Sequence, residues 1–261
     1  MLIIRKEQMD IFKNAAFKRF EDDMIEHIKE FFPNHFRIAG EPTIRKVIQY
    51  GIERSNSYGF VTERNMCLYI TVMTMLGSNF DKDFFFPWAR ETLKEKNGLN
   101  PSDRADKLAD TALDFMKKIA GQNNADMNRA FLKLRKEHPK ILTRRPSDDF
   151  TVYTKEFLQN LFHKKYMTLG EAIIDRLIRH GIKTSADYKI TNQNGQLLLI
   201  VLMFFMGTAC DIEPFLPWLS KVLNDPTTQD QNEKVERFYQ ESLDYLEKWL
   251  TKPSLEGLDN V

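Results

Sequence analysis

The chain repeats itself. Shifted by 130 residues, its second half aligns on its first without a gap, and residues 27–120 and 157–250 share 21 identities in 94 positions. Chance at average composition gives about six. The identities fall at structural punctuation. Gly40-Glu41 meets Gly170-Glu171, Gly51-Ile52 meets Gly181-Ile182, Gly77 meets Gly207, and Pro87-Trp88 meets Pro217-Trp218. Tyr58 meets Tyr188 and Asp81 meets Asp211. Paired glycines predict paired backbone turns, so the chain reads as two copies of one supersecondary unit.

Each copy reads as helical. Residues 6–32 predict one long helix, with Met9, Phe12, Phe17, Phe20, Met24, Ile28 and Phe31 as an apolar stripe and Pro33 as its end. Further helices are predicted from a Thr43 cap to Arg54, from Asn65 to Leu76 where Gly77 stops it, from the Pro87-Trp88 entry to Lys96, and from a Ser102 cap to Ala120. No sustained period-two alternation argues for strands. The expected fold is all-α: a complex multi-helix fold of two pseudo-repeated units around a shared core, one domain over 1–261, with residues 121–156 as a basic connector.

The second copy is the more apolar. Residues 197–206, LLLIVLMFFM, are ten apolar residues in a row. As a helix the run is roughly 15 Å long, too short to span a bilayer and apolar on every face. It should be buried all round, at the centre of the shared core. Gly207 stops it, and Cys210 follows three residues on. The first-copy counterpart of Cys210 is Phe80, so like folds would leave the second copy short of most of a phenyl ring. Cys210 is either a small buried hydrophobe or the carrier of an S-acyl chain entering an apolar interior. Cys67 aligns with Leu197 and reads as core.

Other chemistry is thinly represented. The formal net charge of +1 argues against nucleic-acid binding over the whole surface. Two cysteines make no disulfide framework, and the five histidines have no metal-ligand spacing. There is no nucleophile elbow and no phosphate-binding glycine loop. The acidic triplet Glu21-Asp22-Asp23 reads as a solvated helix face. A hydrolase pairing Cys210 with His180 needs a positioned base that the sequence does not supply. The first ten residues do not form a cleavable signal peptide, so the expectation is a protein made in the cytoplasm, any export of which uses a route that needs no cleaved signal.

Residues 129–145 hold seven basic residues, Arg129, Lys133, Arg135, Lys136, Lys140, Arg144 and Arg145, against Glu137. Met127, Phe131 and Leu134 share a helix face, and Pro139 and Pro146 are expected to break the helix. The plain reading is a solvated connector. The functional one is contact with anionic lipid head groups, worth about 1 kcal/mol per basic residue near such a surface.

With EFFP at 30–33, GIERSNSYGFVTER at 51–64, PWARETL at 87–93 and above all GTACDIEPFLPW at 207–218, the chain resembles the Erwinia virulence factor (Evf)-like family. The resemblance implies an all-α fold and a fatty acid, palmitate, in thioester linkage to a buried cysteine. Cys210 is the position that matches. It also implies a non-enzymatic virulence or effector-type protein that meets membranes and has insect-gut persistence as its setting. Leu198, Val201, Leu202 and Phe205 are then the expected chain-lining residues, anionic membrane lipids the expected partners, and no metal is required. The alternative is a type VI secretion-associated accessory protein (adaptor, chaperone or immunity partner of a secreted effector) with a lipid- or helix-binding pocket. A cysteine-dependent acyltransferase or thioesterase comes third.

Overall fold

The computed structural model describes residues 6–94, 98–143, 149–228 and 230–251, with backbone alone for 6–14. Thirteen α-helices carry these residues, and among them there is no strand, so the fold is all-α. The chain divides into two compact units, Met1–Asp114 with Glu213–Leu216, and Phe115–Ile212 with Pro217–Val261.

The first unit holds α1 (Lys6–Phe31), α2 (Pro33–Ala39), α3 (Glu41–Asn56), α4 (Glu63–Leu76), α5 (Pro87–Leu93) and α6 (Pro101–Ala120) as far as Asp114. Pro33 both ends α1 and opens α2, because its ring fixes φ for a first helical turn and it has no N–H to leave unpaired. Gly40, at φ 75°, caps α3 in place of the expected Thr43. Thr62 caps α4 by accepting from the Asn65 amide. Asn100, not Ser102, accepts from the Asp103 amide at the head of α6. Lys96, the expected end of α5, lies outside the described residues; the helix stops at Leu93.

The α1 stripe is narrower than expected. Phe20, Met24, Ile25 and Ile28 are buried, but Phe17 and Phe31 stay exposed at 44% and 61%. These two flank the buried part of the stripe, and the Phe31 ring rests on His27 of the preceding turn. The side chains of Met9 and Phe12 lie outside the described residues. The acidic triplet is not only solvated: Arg45 of α3 reaches Glu21 at 3.4 Å and Asp22 at 2.8 Å.

Glu213, contributed from far along the chain, is buried in the first unit. Its carboxylate accepts from the Ser78 amide at 2.8 Å, from the Ser78 hydroxyl, and from the Phe215 amide at 3.2 Å. Burial pushes this carboxyl up, and the Ser78 and Phe215 donors oppose the shift.

The second unit holds α7 (Ala125–Thr143), α8 (Phe150–Leu161), α9 (His163–Leu169), α10 (Glu171–Asp187), α11 (Gln193–Met206), α12 (Pro217–Leu223) and α13 (Gln231–Leu250). Pro139 lies inside α7 rather than ending it, at the cost of the one helical hydrogen bond its nitrogen cannot donate. Pro146, Arg144 and Arg145 lie outside the described residues. Helix α11 packs on α10, α7, α8 and α13, and residues 197–204 are all buried. The long apolar run is thus satisfied by helices on several sides, as an element without a polar face requires.

Several local devices recur at the offset of 130. The limits of α2 and α9, α4 and α11, α5 and α12, and α6 and α13 do so at both ends. Tyr58 donates to Asp81 at 2.6 Å and Tyr188 to Asp211 at 2.9 Å. Arg104 binds the carbonyls of Leu93 and Tyr58, and Lys234 those of Leu223 and Tyr188. These two cations occupy matching positions although the residue type differs, so counting identities misses them.

Candidate functional site

The end of α11 positions Cys210. Gly207 takes φ 103°, a conformation that L side chains rarely adopt, and its amide closes the helix on the Met203 carbonyl. The chain then turns back, and the Cys210 amide donates to the Gly207 carbonyl at 3.2 Å. Cys210 opens a short 3-10 turn, Cys210–Ile212, and is 1% exposed. Both cysteines carry thiols. Cys67, expected in the core, is only half-buried in α4, and burial pushes its thiol up.

Two polar groups flank this turn. The Asp211 carboxylate holds the Tyr188 hydroxyl; burial first, and this bond second, push that phenol up to about 12. His180 of α10 lies 3.1 Å, through Nε2, from the carbonyl of Thr208, two residues before Cys210. A carbonyl only accepts, so Nε2 carries the proton and donates there. The structure thus brings His180 to the Cys210 turn, which its position in the sequence did not indicate.

The four expected chain-lining residues come together. Leu198, Val201, Leu202 and Phe205 form one wall of an apolar cleft, faced by Phe131 and Leu134 of α7 and by Leu246 and Trp249 of α13. The walls are close together: only about 10 Å³ between them is wide enough for a water. The floor is buried, whereas Phe205, Met206, Tyr245 and Trp249 at the rim are half-buried. Cys210 is not among the lining residues. The four share one face of α11, and Cys210, beyond the turn after Gly207, does not join them.

The cleft also contains a polar pair that sequence reasoning missed. His138 of α7 and Ser242 of α13 both line it, with Nε2 and Oγ 2.9 Å apart. Ser242 gives its proton to the Tyr239 carbonyl at 2.8 Å, so His138 donates through Nε2 and Nδ1 is left as a bare acceptor. Burial lowers the His138 pKa to about 4, which keeps the ring neutral near neutral pH. An isolated histidine among charges carried no signal of this kind.

The basic residues of α7 do not act as one patch. Arg135 pairs with Glu247 at 3.7 Å and Lys140 with Glu137 at 2.6 Å, while Lys136 is exposed. Arg129 and Lys133, one helical turn apart, instead line a pocket of about 220 Å³ with Asp126, Ala130, Leu161, Phe162, His163 and Lys164. Asp126 binds Arg129 at 2.7 Å and Lys164 at 2.5 Å, and the Lys164 hydrogen bond is the main cause that lowers its carboxyl. Lys133 donates to the Asn160 carbonyl at 3.0 Å.

Among the described residues, no group of three or more His, Cys, Asp or Glu is placed to hold a metal, and no helix is long and apolar enough to cross a membrane. Compared with known families, characterised proteins and solved structures, the chain matches no family model, no curated protein and no solved fold.

Proposed function

We propose that this chain is an S-acylated, non-enzymatic protein of the Evf-like kind, carrying a long-chain fatty acid such as palmitate on Cys210 and acting at anionic membranes. One observation carries the reading: a thiol buried just beyond the end of an apolar helix whose residues 197–204 are all buried and four of whose side chains line a cleft. The Cys210 sulfur would bond to the acyl carbonyl carbon as the thioester bond of an activated donor breaks, and the thiol proton would leave with the donor's sulfur. A long chain buried at about 0.8 kcal/mol per methylene would stabilise the fold by around 10 kcal/mol. The cleft has room for about one water, so seating the chain there would require its walls to part.

Arg129 and Lys133 of α7, which line one pocket, support the membrane half of the reading, at about 1 kcal/mol per basic residue near anionic head groups and less in high salt. The accessory-protein reading shares the cleft but needs no covalent chain, and the acyltransferase reading needs the chain to turn over. The test is an intact-protein mass spectrum of material from the natural host, before and after hydroxylamine. The expected result is an added acyl mass that hydroxylamine removes. A mass matching the bare sequence, with a reactive thiol at Cys210, overturns the proposal.

A further inference from the structure

The geometry points to a phosphate-binding site in the second unit, formed by Arg129 and Lys133 of α7 and Lys164 of α9, that takes the phosphate group of an anionic head group. Three cations face a pocket of about 220 Å³ against a single carboxylate, Asp126. A phosphate ester is the anion that suits this lining, because it offers several acceptor oxygens to cations that reach it from two different helices. Asp126 spans Arg129 and Lys164 and holds both side chains in register at the pocket edge. Lys133 is anchored from the other side by the Asn160 carbonyl, which leaves two of its three protons for a ligand.

The surroundings favour a lipid as the source of that phosphate. Leu132, next to Lys133, and Met167, three residues beyond Lys164, are both exposed large apolar side chains. Phe162, which lines the basic pocket, lies 5.9 Å from Phe205, which lines the apolar cleft, and Phe131 of the cleft lies 5.4 Å from the same Phe205 ring. A charged recess thus adjoins an apolar one across a single aromatic layer, as an amphiphile's two ends require. The site rests on the proposed action at membranes only in naming a lipid as the source; the phosphate recognition stands apart from acylation at Cys210.

The test uses the full chain with two probes, sn-glycerol 3-phosphate in solution and phosphatidylcholine vesicles with or without phosphatidic acid. The paired variants are R129Q/K133Q in the pocket and K136Q/K140Q outside it, with the same loss of charge on the same helix and circular dichroism to confirm folding. Wild type is expected to bind the soluble probe, with R129Q/K133Q weaker by on the order of tenfold or more and K136Q/K140Q nearly unchanged. The same ranking on phosphatidic acid vesicles supports a lipid head group. Vesicle binding that is indifferent to the pocket pair, with soluble binding still lost, retains the phosphate site and overturns the lipid source. No binding of the soluble probe by wild type, or equal loss in both pairs, overturns the site.

Discussion

Gly181 decides how closely α10 and α11 approach. A Cβ at that position would stand 2.3 Å from Ile200 Cγ1, and one at Gly51 would stand 2.6 Å from Ile70 Cγ1. Neither contact involves unusual backbone; the constraint is space alone. Gly181→Ala is therefore expected to destabilise the protein by about 2 kcal/mol, the usual cost of overpacking, in spite of alanine's better helix propensity. Urea denaturation measures this, and an unchanged midpoint would show that the two helices can separate without cost. At His138 the consequence is a pH dependence. Its folded pKa of about 4 lies below the ordinary 6.5. Between those values the unfolded chain takes up a proton that the folded chain refuses, so stability falls as pH drops through that window and levels off below it. The effect is on the order of 3 kcal/mol. His138→Phe is expected to flatten the melting temperature over that range relative to wild type, with the rest of the slope left to groups such as His35, which burial also lowers to about 4. Parallel wild-type and variant profiles would remove His138 as the cause.

At the scale of the element, α11 and its terminus are the most informative part of the chain. Ten apolar residues predicted burial on every face; the structure buries 197–204 among helices on several sides and leaves Phe205 and Met206 half-buried. Substituting Cys210→Phe probes the space at its terminus. It restores the ring that Phe80 provides at the matching position, where Phe80 packs 5.1 Å from Tyr69. The counterpart of Tyr69 is Leu199, so the second unit is smaller at both places. If an acyl chain fills the space, Cys210→Ser isolated from the natural host should melt lower than wild type, and Cys210→Phe should recover part of the loss. Retained stability in Cys210→Phe without biological effect would mean that the chain must leave the protein to act. A Cys210→Ser protein as stable as wild type would remove the chain from the core. Helix α7 behaves differently. In sequence its charges form one basic run, but Glu247 and Glu137 each engage one of them, and the acid that organises the pocket, Asp126, lies just outside that run. Spacing along a helix shows which side chains share a face and says nothing of what another helix brings to it.

At the scale of the molecule, the first unit depends on a piece of chain that arrives late. Glu213 satisfies the amide of Ser78 across 135 residues of sequence. Glu213→Ala leaves that buried amide and the Ser78 hydroxyl without their acceptor, at an expected cost on the order of 2 kcal/mol. Thermal unfolding is the measurement, and a variant that melts with wild type would show that water replaces the carboxylate.

What the sequence by itself determined is local and periodic. Helical class, the glycine stops and the burial of most of the 197–206 run follow from contacts three or four residues apart and from polarity. Only the tertiary structure decided the rest: the offset of Cys210 from the cleft, the His138–Ser242 pair, the recruitment of Lys164 to Arg129 and Lys133, and the capture of Glu213 by Ser78. Each depends on where a turn of the backbone aims a distant segment. That direction is set by the packing of many side chains at once, and no single spacing encodes it.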